Sequence, residues 1–513
     1  MASYLEILCG IAALIVAFYY YFTSTFDFWK VRGVPGPKPI PVLGNIKDVM
    51  LLRMSICQYL TNINEEFKSE PLVGIFTRRT PVLIVQDPDL IKDVLIKDFS
   101  KFADRGFQIH EKVKTGIQLN RKGCCCTPLS NIILCLFKAE RWRPLRTRLS
   151  PVFTSSKLKE MFTLILECAD HLEQYLDKVS GKDEPVECRE LTAKYTTDVI
   201  GSCAFGIEMN ALTDEDSEFR RVGRKVFAPN ITQILRFRLR QSLPWLYNLL
   251  GYILPPTEIT TFFTKIIVDT MKYRDENNIE RPDFVNMLME LKKHPDKLEN
   301  IKLTDTLLTA QAFVFFVAGF ETSSSTMSNA LYELALNTEV QDKLRQEIRE
   351  NYNKNDGKLK YEHINEMTYL DLVFRETLRK YPPGPLLLRS SISNYTFEKT
   401  KVTIPPKTLV WIPLYAIHHD PKIYSDPEAF IPERFNGDVV RHPMHYLPFG
   451  DGPRNCIGAR FAVYQSKVGL IKILRNHKVE VCEKTMIPYV IDPAAFLLAP
   501  KGGIYLKLSK VES

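Results

Sequence analysis

Cys456 stands in the stretch "PFGDGPRNCIGARFAVYQSKVGLI", residues 448 to 471, among Gly450, Gly452 and Gly458, with Arg454 two residues before it. A cysteine that only fills a core needs none of these neighbours; a metal-ligating thiolate needs them all. Glycines let the backbone turn tightly round a sulfur and aim N–H groups at it. Ile457, Phe461, Tyr464, Val468 and Ile471 recur at 4-3-4-3 spacing, so a helix is expected to begin at the cysteine. Its N-terminal dipole would favour thiolate over thiol. Arg454 can neutralise a carboxylate beside the same metal cofactor. Phe449, Gly452, Arg454, Cys456 and Gly458 spell F-x-x-G-x-R-x-C-x-G, a far more specific signal than most short motifs.

A second stretch carries polar chemistry where none is expected. "LTDTLLTAQAFVFFVAGFETSSSTMSNALYELALN", Leu303 to Asn337, has no proline, and as a helix of about nine turns it would cross a whole domain. Its apolar block, Leu307 to Phe320, is short for a membrane span and suits a buried core helix. Glu321 and Thr322 place an acid and a hydroxyl in its middle, costly groups to bury unless something uses them. A kink-forming Ser/Thr cluster is the plainer alternative.

These residues need a body to hold them. The 513 residues are 45% apolar and 25% charged, with net charge +8, an ordinary globular balance. The mild positive charge suits an acidic partner or an anionic membrane surface. No Lys/Arg run with interleaved aromatics is present, so no nucleic-acid partner is expected. Eleven irregularly spaced cysteines make no disulfide framework. "GCCC", Gly123 to Cys126, lacks the spacing of a zinc site and reads as reduced thiols facing the cytosol. From residue 46 the pattern is mostly helical. Strand-like runs are few: "LVGIF" and "PVLIV" around Arg78–Thr80, "KVTIP" and "LVWIP" around residue 407, and "GGIYLKL" near the C-terminus. The expected fold class is mainly α, a large helical body with small marginal sheets.

The N-terminus reads as a membrane anchor. "ILCGIAALIVAFYYYF", Ile7 to Phe22, would span about 24–28 Å as a helix if extended to Tyr4, against a hydrocarbon core of about 30 Å. The early charge is Glu6, and Lys30, Arg32 and Lys38 follow the run, which places the body on the cytoplasmic side. "VPGPKPIPVLGN", Val34 to Asn45, has four prolines and is expected to be a stiff extended hinge. The organisation expected is a transmembrane signal anchor over 1–22, a basic and proline-rich hinge over 23–45, and one functional domain over 46–513.

At the cysteine loop the chain resembles the cytochrome P-450 superfamily, whose haem iron is held by such a thiolate. The resemblance covers essentially everything after the hinge, and its other landmarks follow in order. It implies the P-450 fold, haem b as cofactor, and Cys456 as the axial ligand of the haem iron, with Phe449, Gly450, Gly452 and Gly458 shaping the loop. "WRPLR" supplies Trp142 and Arg146, four apart, similar to the pair that meets a haem propionate; Pro144 between them is tolerable where the helix starts near Trp142. Arg389 matches a position that reaches the other propionate, and Arg105 in "FADRG" is a further candidate. "AGFET" matches the oxygen-activation motif, implying that Glu321 and Thr322 pass protons. Glu376 and Arg379 of "ETLR" with Arg434 of "PERF" resemble a buried cluster behind the haem. E-x-x-R also occurs at Glu140–Arg143 and Glu218–Arg221, where a surface ion pair is the ordinary reading; only its place between Thr322 and Cys456 singles out Glu376–Arg379.

Within the superfamily the chain looks like the insect microsomal enzymes, which implies an endoplasmic-reticulum enzyme oxidising a lipophilic small molecule with O2. Plant toxin, insecticide, lipid and hormone all stay open. Phe313, Phe316, Ala318, Leu386 to Leu388 (including Leu387), Phe496 and Leu497 are the pocket positions it implies, each equally readable as plain core. The stretch from Arg105 to Trp142 departs from the family pattern, which leaves the substrate undetermined. No G-x-G-x-x-G fingerprint follows a strand, so electrons are expected from a partner. The resemblance names NADPH–cytochrome P-450 reductase, with cytochrome b5 as a second donor. Arg141, Arg148, Lys157 and Lys159 are candidate docking charges, and equally a solvated face. "LPWLYNLLGYILPP", Leu243 to Pro256, reads as a segment dipping into the bilayer or as a core helix. Two rival activities stand beside monooxygenation: a reductase-independent haem-thiolate isomerase or dehydratase, and a non-catalytic haem carrier or sensor.

Overall fold

The apolar N-terminal run folds as one helix, Ala2–Thr23, whose Tyr4–Thr23 stretch has mean hydropathy 1.9 and no buried share. At about 33 Å it is long enough to cross a hydrocarbon core. The computed structural model describes residues 2–106, 138–180, 184–213, 217–227, 239, 246, 258–281, 283–293, 305–437, 441–495 and 497–511. The cysteine run 123–126, Phe496 and most of Leu243–Pro256 lie outside the described residues.

The proline-rich stretch after the anchor is hydrogen-bonded to the body. Trp29 Nε1 donates to the Ile75 carbonyl (3.0 Å), and the Gly74 N–H donates to the Pro35 carbonyl (2.8 Å). Asn45 exchanges two bonds with the backbone of Phe76: its N–H donates to the carbonyl (2.8 Å) and its Oδ1 accepts the amide (2.7 Å). The proline-rich stretch is therefore fastened along strand β1, Leu72–Thr77.

β1 pairs antiparallel with β2, Thr80–Val85, setting Val73 opposite Ile84 across a turn at Arg78. The two-residue β3, Val186–Glu187, lies beside the C-terminal strands. Leu387–Ser390 (β4) and Leu409–Ile412 (β7) complete the first sheet in the order β1-β2-β7-β4. Tyr395–Thr396 (β5) and Thr403–Ile404 (β6) make a hairpin between them. His477–Glu480 (β8) and Tyr505–Lys510 (β9) join β3 in the order β3-β9-β8. The other four predicted runs form β1, β2, β7 and β9, whereas "KVTIP" contributes only Thr403–Ile404. β3, β4, β5 and β8 lie outside the predicted runs: β3 and β5 have two residues each, and β4 and β8 carry charged or histidine side chains.

Everything else turns on the long helix, Asp305–Leu336. Its apolar residues run all round its surface, so it must be covered on every side; although it is long enough to span a membrane, 67% of its most apolar eighteen-residue window is buried. Cys188–Ile200 packs closest along it. Thr192 and Thr196 of that helix donate to the Ser324 and Phe320 carbonyls at 3.0 Å each. A Cβ added at Gly319 would lie 2.2 Å from Ile200 Cδ1, so a larger residue there would require the Ile200 side chain to shift. The helices Glu258–Glu276, Thr368–Lys380 and Ala459–Asn476 complete the surround.

Two helix starts differ from expectation. The helix after the cysteine begins at Ala459 with Gly458 as its cap, not at Cys456. The Cys456 N–H is already committed to the Phe449 carbonyl (2.8 Å), and the first helical bond runs from Ala462 to Gly458 (2.8 Å). The other helix runs Ala139–Leu149 and encloses Pro144 rather than starting near Trp142. Pro144 and Glu140, whose carbonyl the proline cannot serve, are both exposed, so the missing bond falls on the water side.

Candidate active site

The cysteine loop closes on itself before it reaches its helix. Gly450 N–H donates to the Leu447 carbonyl (2.9 Å), Asn455 N–H to Gly452 (3.1 Å), and Cys456 N–H to Phe449 (2.8 Å). Gly452 sits at φ +72°, and a Cβ there would lie 1.9 Å from the Leu95 carbonyl oxygen, so glycine is required twice over. Cys456 is deep in the molecule yet its surface is open, which means the thiol faces an internal recess. Burial pushes the thiol up, while the Gly458 N–H, Arg146 and Arg105 pull it back toward thiolate.

Four guanidiniums gather round this loop. Arg146 donates through Nη1 to the Asn455 carbonyl (3.0 Å) and through Nη2 to Asn455 Oδ1 (2.9 Å). Arg105 Nη2 reaches the Arg454 carbonyl at 3.4 Å. Arg454 is buried with its guanidinium 4.4 Å from the centre of the Trp142 ring. Arg389, on β4, is 2% exposed and is pushed down to about 9 by burial first, then by Arg105 and Arg454. Nε of Arg105 and Nε of Arg389 are buried without a hydrogen-bond partner. Buried positive charge of this density is stable only opposite an anion. One recess-facing thiol set beside such a cationic cradle fits a dianionic metal macrocycle, the donor set that haem requires. Among the described residues no group of three or more His, Cys, Asp or Glu could hold a metal ion in another way.

The middle of the long helix presents two sides. Ala318 is exposed although its helix is covered by other elements, and Thr322, one turn on, donates to the Ala318 carbonyl (2.6 Å). Glu321 turns the other way: it is 5% exposed and ion-paired with Arg189. Two contacts clasp this helix to the cysteine segment. Gln465 Nε2 donates to the Gly319 carbonyl (2.8 Å). Phe153 stacks on Phe315 (5.2 Å, 12°) and lies 3.9 Å from a Cβ placed on Gly458. Phe153, Gln465, Arg189 and Asn455 escaped the sequence reading; of these only Asn455, next to the cysteine, carried a signal.

Glu376, Arg379 and Arg434 meet in the interior. Arg379 grips Glu376 through Nε (2.7 Å) and Nη2 (2.9 Å), and Arg434 Nε lies 3.2 Å from the same carboxylate. Arg379 also donates to the His418 and Pro427 carbonyls (2.9 and 2.8 Å), and Arg434 to that of Asp426 (2.6 Å). The cluster thus fastens the segment leading to the cysteine loop. Glu218–Arg221, which fits the same short pattern, is a surface pair at 3.4 Å with both side chains more than half exposed.

Two of the expected pocket positions are core instead. Phe316 is fully buried among Phe205, Phe263 and Phe320, and Phe313 packs on Phe263 at 5.1 Å. Both lie away from Ala318 and Thr322, because residues two and five before Ala318 fall on another helix face. Half-buried Val314, one turn before Ala318, shares the open face instead. Leu386 and Leu387 pack partly into clusters under the first sheet, Leu387 against Gly450, while Leu388 and Leu497 are half-buried. Of the docking charges, Lys157 and Lys159 are paired with Glu160 (2.7 Å) and Glu362 (2.5 Å). Arg148 is exposed and Arg141 half-buried.

Comparison with known proteins agrees with this geometry. Residues 34–507 match the family described as "Cytochrome P450". The chain is 39% identical to cytochrome P450 6A1 of Musca domestica over 500 residues, 96% of this chain and 95% of the relative. It is 40% identical to probable cytochrome P450 6a14 of Drosophila melanogaster over 502 residues, 95% and 96% of the two chains. Cytochrome P450 6B1 of Papilio polyxenes is 37% identical over 521 residues, 98% of this chain and 99% of the relative.

Proposed function

The chain belongs to the cytochrome P450 family, and from that premise we propose that it is a membrane-anchored haem-thiolate monooxygenase acting on lipophilic substrates, foreign or endogenous. As a P450 monooxygenase similar to the insect family 6 enzymes, it stands with an enzyme class whose members imply haem. The observation that carries the assignment of residues is the juxtaposition of the recess-facing Cys456 thiol with the partnerless Nε atoms of Arg105 and Arg389.

Haem, when bound, would supply the redox iron for O2 cleavage, one atom entering the substrate and the other leaving as water, with two electrons from NADPH and the two protons from NADPH and solvent. Cys456 would ligate that iron, with the Gly458 N–H and Arg146 stabilising its negative charge. Arg105, Arg389 and Arg454 would bind the propionates, and Trp142 holds the Arg454 guanidinium over its ring at 4.4 Å. Thr322 holds its hydroxyl at the open face of the long helix and hands a proton to the reacting oxygen; Glu321, tethered to Arg189, restores it from the protein interior. Ala318 and Val314, on the same helix face as that hydroxyl, would leave room for substrate, and half-buried Leu388 and Leu497 are candidates for the rest of the wall.

The segment 1–22 anchors the protein in the endoplasmic-reticulum membrane, with residues 46–513 as the catalytic domain on the cytoplasmic side. Electrons come from NADPH–cytochrome P450 reductase, with cytochrome b5 as an accessory donor. Arg141 and Arg148 flank Trp142 and Arg146 on one short helix, so a partner docked there would lie next to the cysteine loop.

The test is the absorption spectrum of the reduced protein with and without carbon monoxide, followed by turnover with and without reductase. A strongly red-shifted Soret band with reductase-dependent product supports the reading. A blue-shifted band of histidine or thiol ligation, or product formed without reductase, overturns it.

A further inference from the structure

We propose that His418 is the positioning residue that sets the cysteine loop against the Glu376–Arg379–Arg434 cluster, by gripping the Leu447 amide at the loop's entrance. His418 ends the short helix Leu414–His418 and is fully buried. Its Nδ1 lies 3.1 Å from the Arg379 carbonyl, and its Nε2 accepts the Leu447 N–H at 3.1 Å. Only the neutral ring protonated on Nδ1 satisfies both contacts at once. Arg379 Nη1 returns a bond to the His418 carbonyl (2.9 Å). The ring plane is fixed by Tyr446, stacked at 5.6 Å and 20°, and by the edge of Tyr424 at 6.5 Å.

From Leu447 the connection runs on without a gap. The Leu447 carbonyl accepts the Gly450 N–H (2.9 Å), and the next carbonyl but one, that of Phe449, accepts the Cys456 N–H (2.8 Å). A rigid ion cluster is thereby joined to the thiol-bearing residue through one imidazole. Leu447 is 2% exposed, so without His418 its amide would be left buried with no acceptor, and the segment would shift to find one. Burial, His419 and Arg379 together press the ring down to about 3, keeping it neutral across physiological pH.

The inference rests on reading Cys456 as the iron ligand, and the experiment separates the two. His418→Gln keeps an acceptor near the Nε2 position and gives up the donor to Arg379; His418→Asn keeps the donor and gives up Leu447. Both are compared with the native holoenzyme for haem content, thermal midpoint, and the fraction of the reduced carbon-monoxide complex in the red-shifted thiolate band. The Gln variant is expected to keep that fraction within about twofold of native, and the Asn variant to lose at least fivefold, at similar thermal midpoints. Equal fractions in the two variants, or loss that simply follows the melting point, overturn the positioning role. A native protein without the thiolate band overturns the ligand reading instead. If neither variant folds, hydrogen exchange on the native holoenzyme decides: a Leu447 amide among the slowest supports the role, and exchange at exposed-loop rates overturns it.

Discussion

Nη1 and Nη2 of Arg146 lie 3.0 and 2.9 Å from the carbonyl and side-chain oxygens of Asn455, so one guanidinium holds in two places the residue that precedes the thiol. A lysine can supply one of these bonds but not the fork. Arg146→Lys should keep the fold and lose about 1 kcal/mol at the loop, on the order of a fivefold faster haem loss. Transfer of haem to an excess of an apo-globin acceptor measures that rate; an unchanged rate would mean that the clamp does not hold the loop.

The Glu376 carboxylate faces two guanidiniums in a site with no exposure at Glu376 or Arg379. Glu376→Gln keeps the volume and leaves both cations uncompensated, a loss of about 3–5 kcal/mol. The variant should accumulate as haem-free or unfolded protein, read by haem content and by melting. Glu218→Gln, at the exposed lookalike pair, should change the melting point by no more than about 1 °C, since such pairs contribute ~0–1 kcal/mol.

What the sequence disclosed depended on how local the physics is. The cysteine loop was readable because tight turns fix glycines within ten residues of one another, and the hairpin β1–β2 because alternation and a turn lie side by side. The pairing of Glu321 with Arg189 spans 132 residues, and no local pattern announces it. The open face of the long helix is only partly legible for another reason: Phe313, Phe316 and Phe320 form one aromatic stripe that packs in the core, and apolar residues on the other faces leave the helix without a polar side to orient it. Small Ala318 beside Gly319 marks that face better than any aromatic does. His418 was invisible because "AIHHDP" gives no sign that one of its two histidines is fully buried.

Acid should act through His418 and His419, both pressed down to about 3 by burial. A depressed folded value means that their contribution is fully present above the ordinary 6.5 and is lost as pH falls from there toward 3. Asp198 has the opposite sign: burial raises it to about 6, so its protonation favours the fold below that pH and its ionisation costs stability above it. The native melting point should therefore hold above pH 7 and decline between about 6.5 and 5, before ordinary carboxylates titrate. Asp198→Asn should steepen the decline, and His418→Gln should flatten it. A decline of the same slope in all three proteins would mean that other groups govern acid stability.

Deleting residues 2–22 should separate anchoring from folding. Every residue from Tyr4 to Tyr21 is exposed, and the helix touches the body chiefly at its end, where the Arg79 guanidinium lies 3.7 Å from the Tyr21 ring centre and the Thr25 hydroxyl donates to the Arg79 carbonyl (2.8 Å). An exposed cation–π contact contributes about 0.5–1 kcal/mol, so the truncated protein should melt within a few degrees of the full chain. Partition into phospholipid vesicles should fall by at least tenfold. A large drop in melting point would show that the helix packs on the body in a way its exposure denies.

Thr322 and Glu321 are neighbours in sequence but face opposite sides of their helix, one bonded to the Ala318 carbonyl and the other to Arg189. If the pair moves protons, its two members act at different points and their loss should differ. Thr322→Ala removes the hydroxyl at the open face; NADPH consumption should continue while product per NADPH falls several-fold and hydrogen peroxide rises to match. Thr322→Ser keeps a hydroxyl there and should restore most of the coupling. Glu321→Gln keeps the buried volume but frees Arg189, and should slow turnover by about 10²-fold with a larger solvent isotope effect, leaving coupling nearer to native. Arg189→Ala should resemble Glu321→Gln in rate, because an untethered carboxylate no longer holds its place. Coupling as tight in Thr322→Ala as in the native enzyme would remove the hydroxyl from the proton path. Native turnover in Glu321→Gln would leave the ion pair a purely structural tie between two helices.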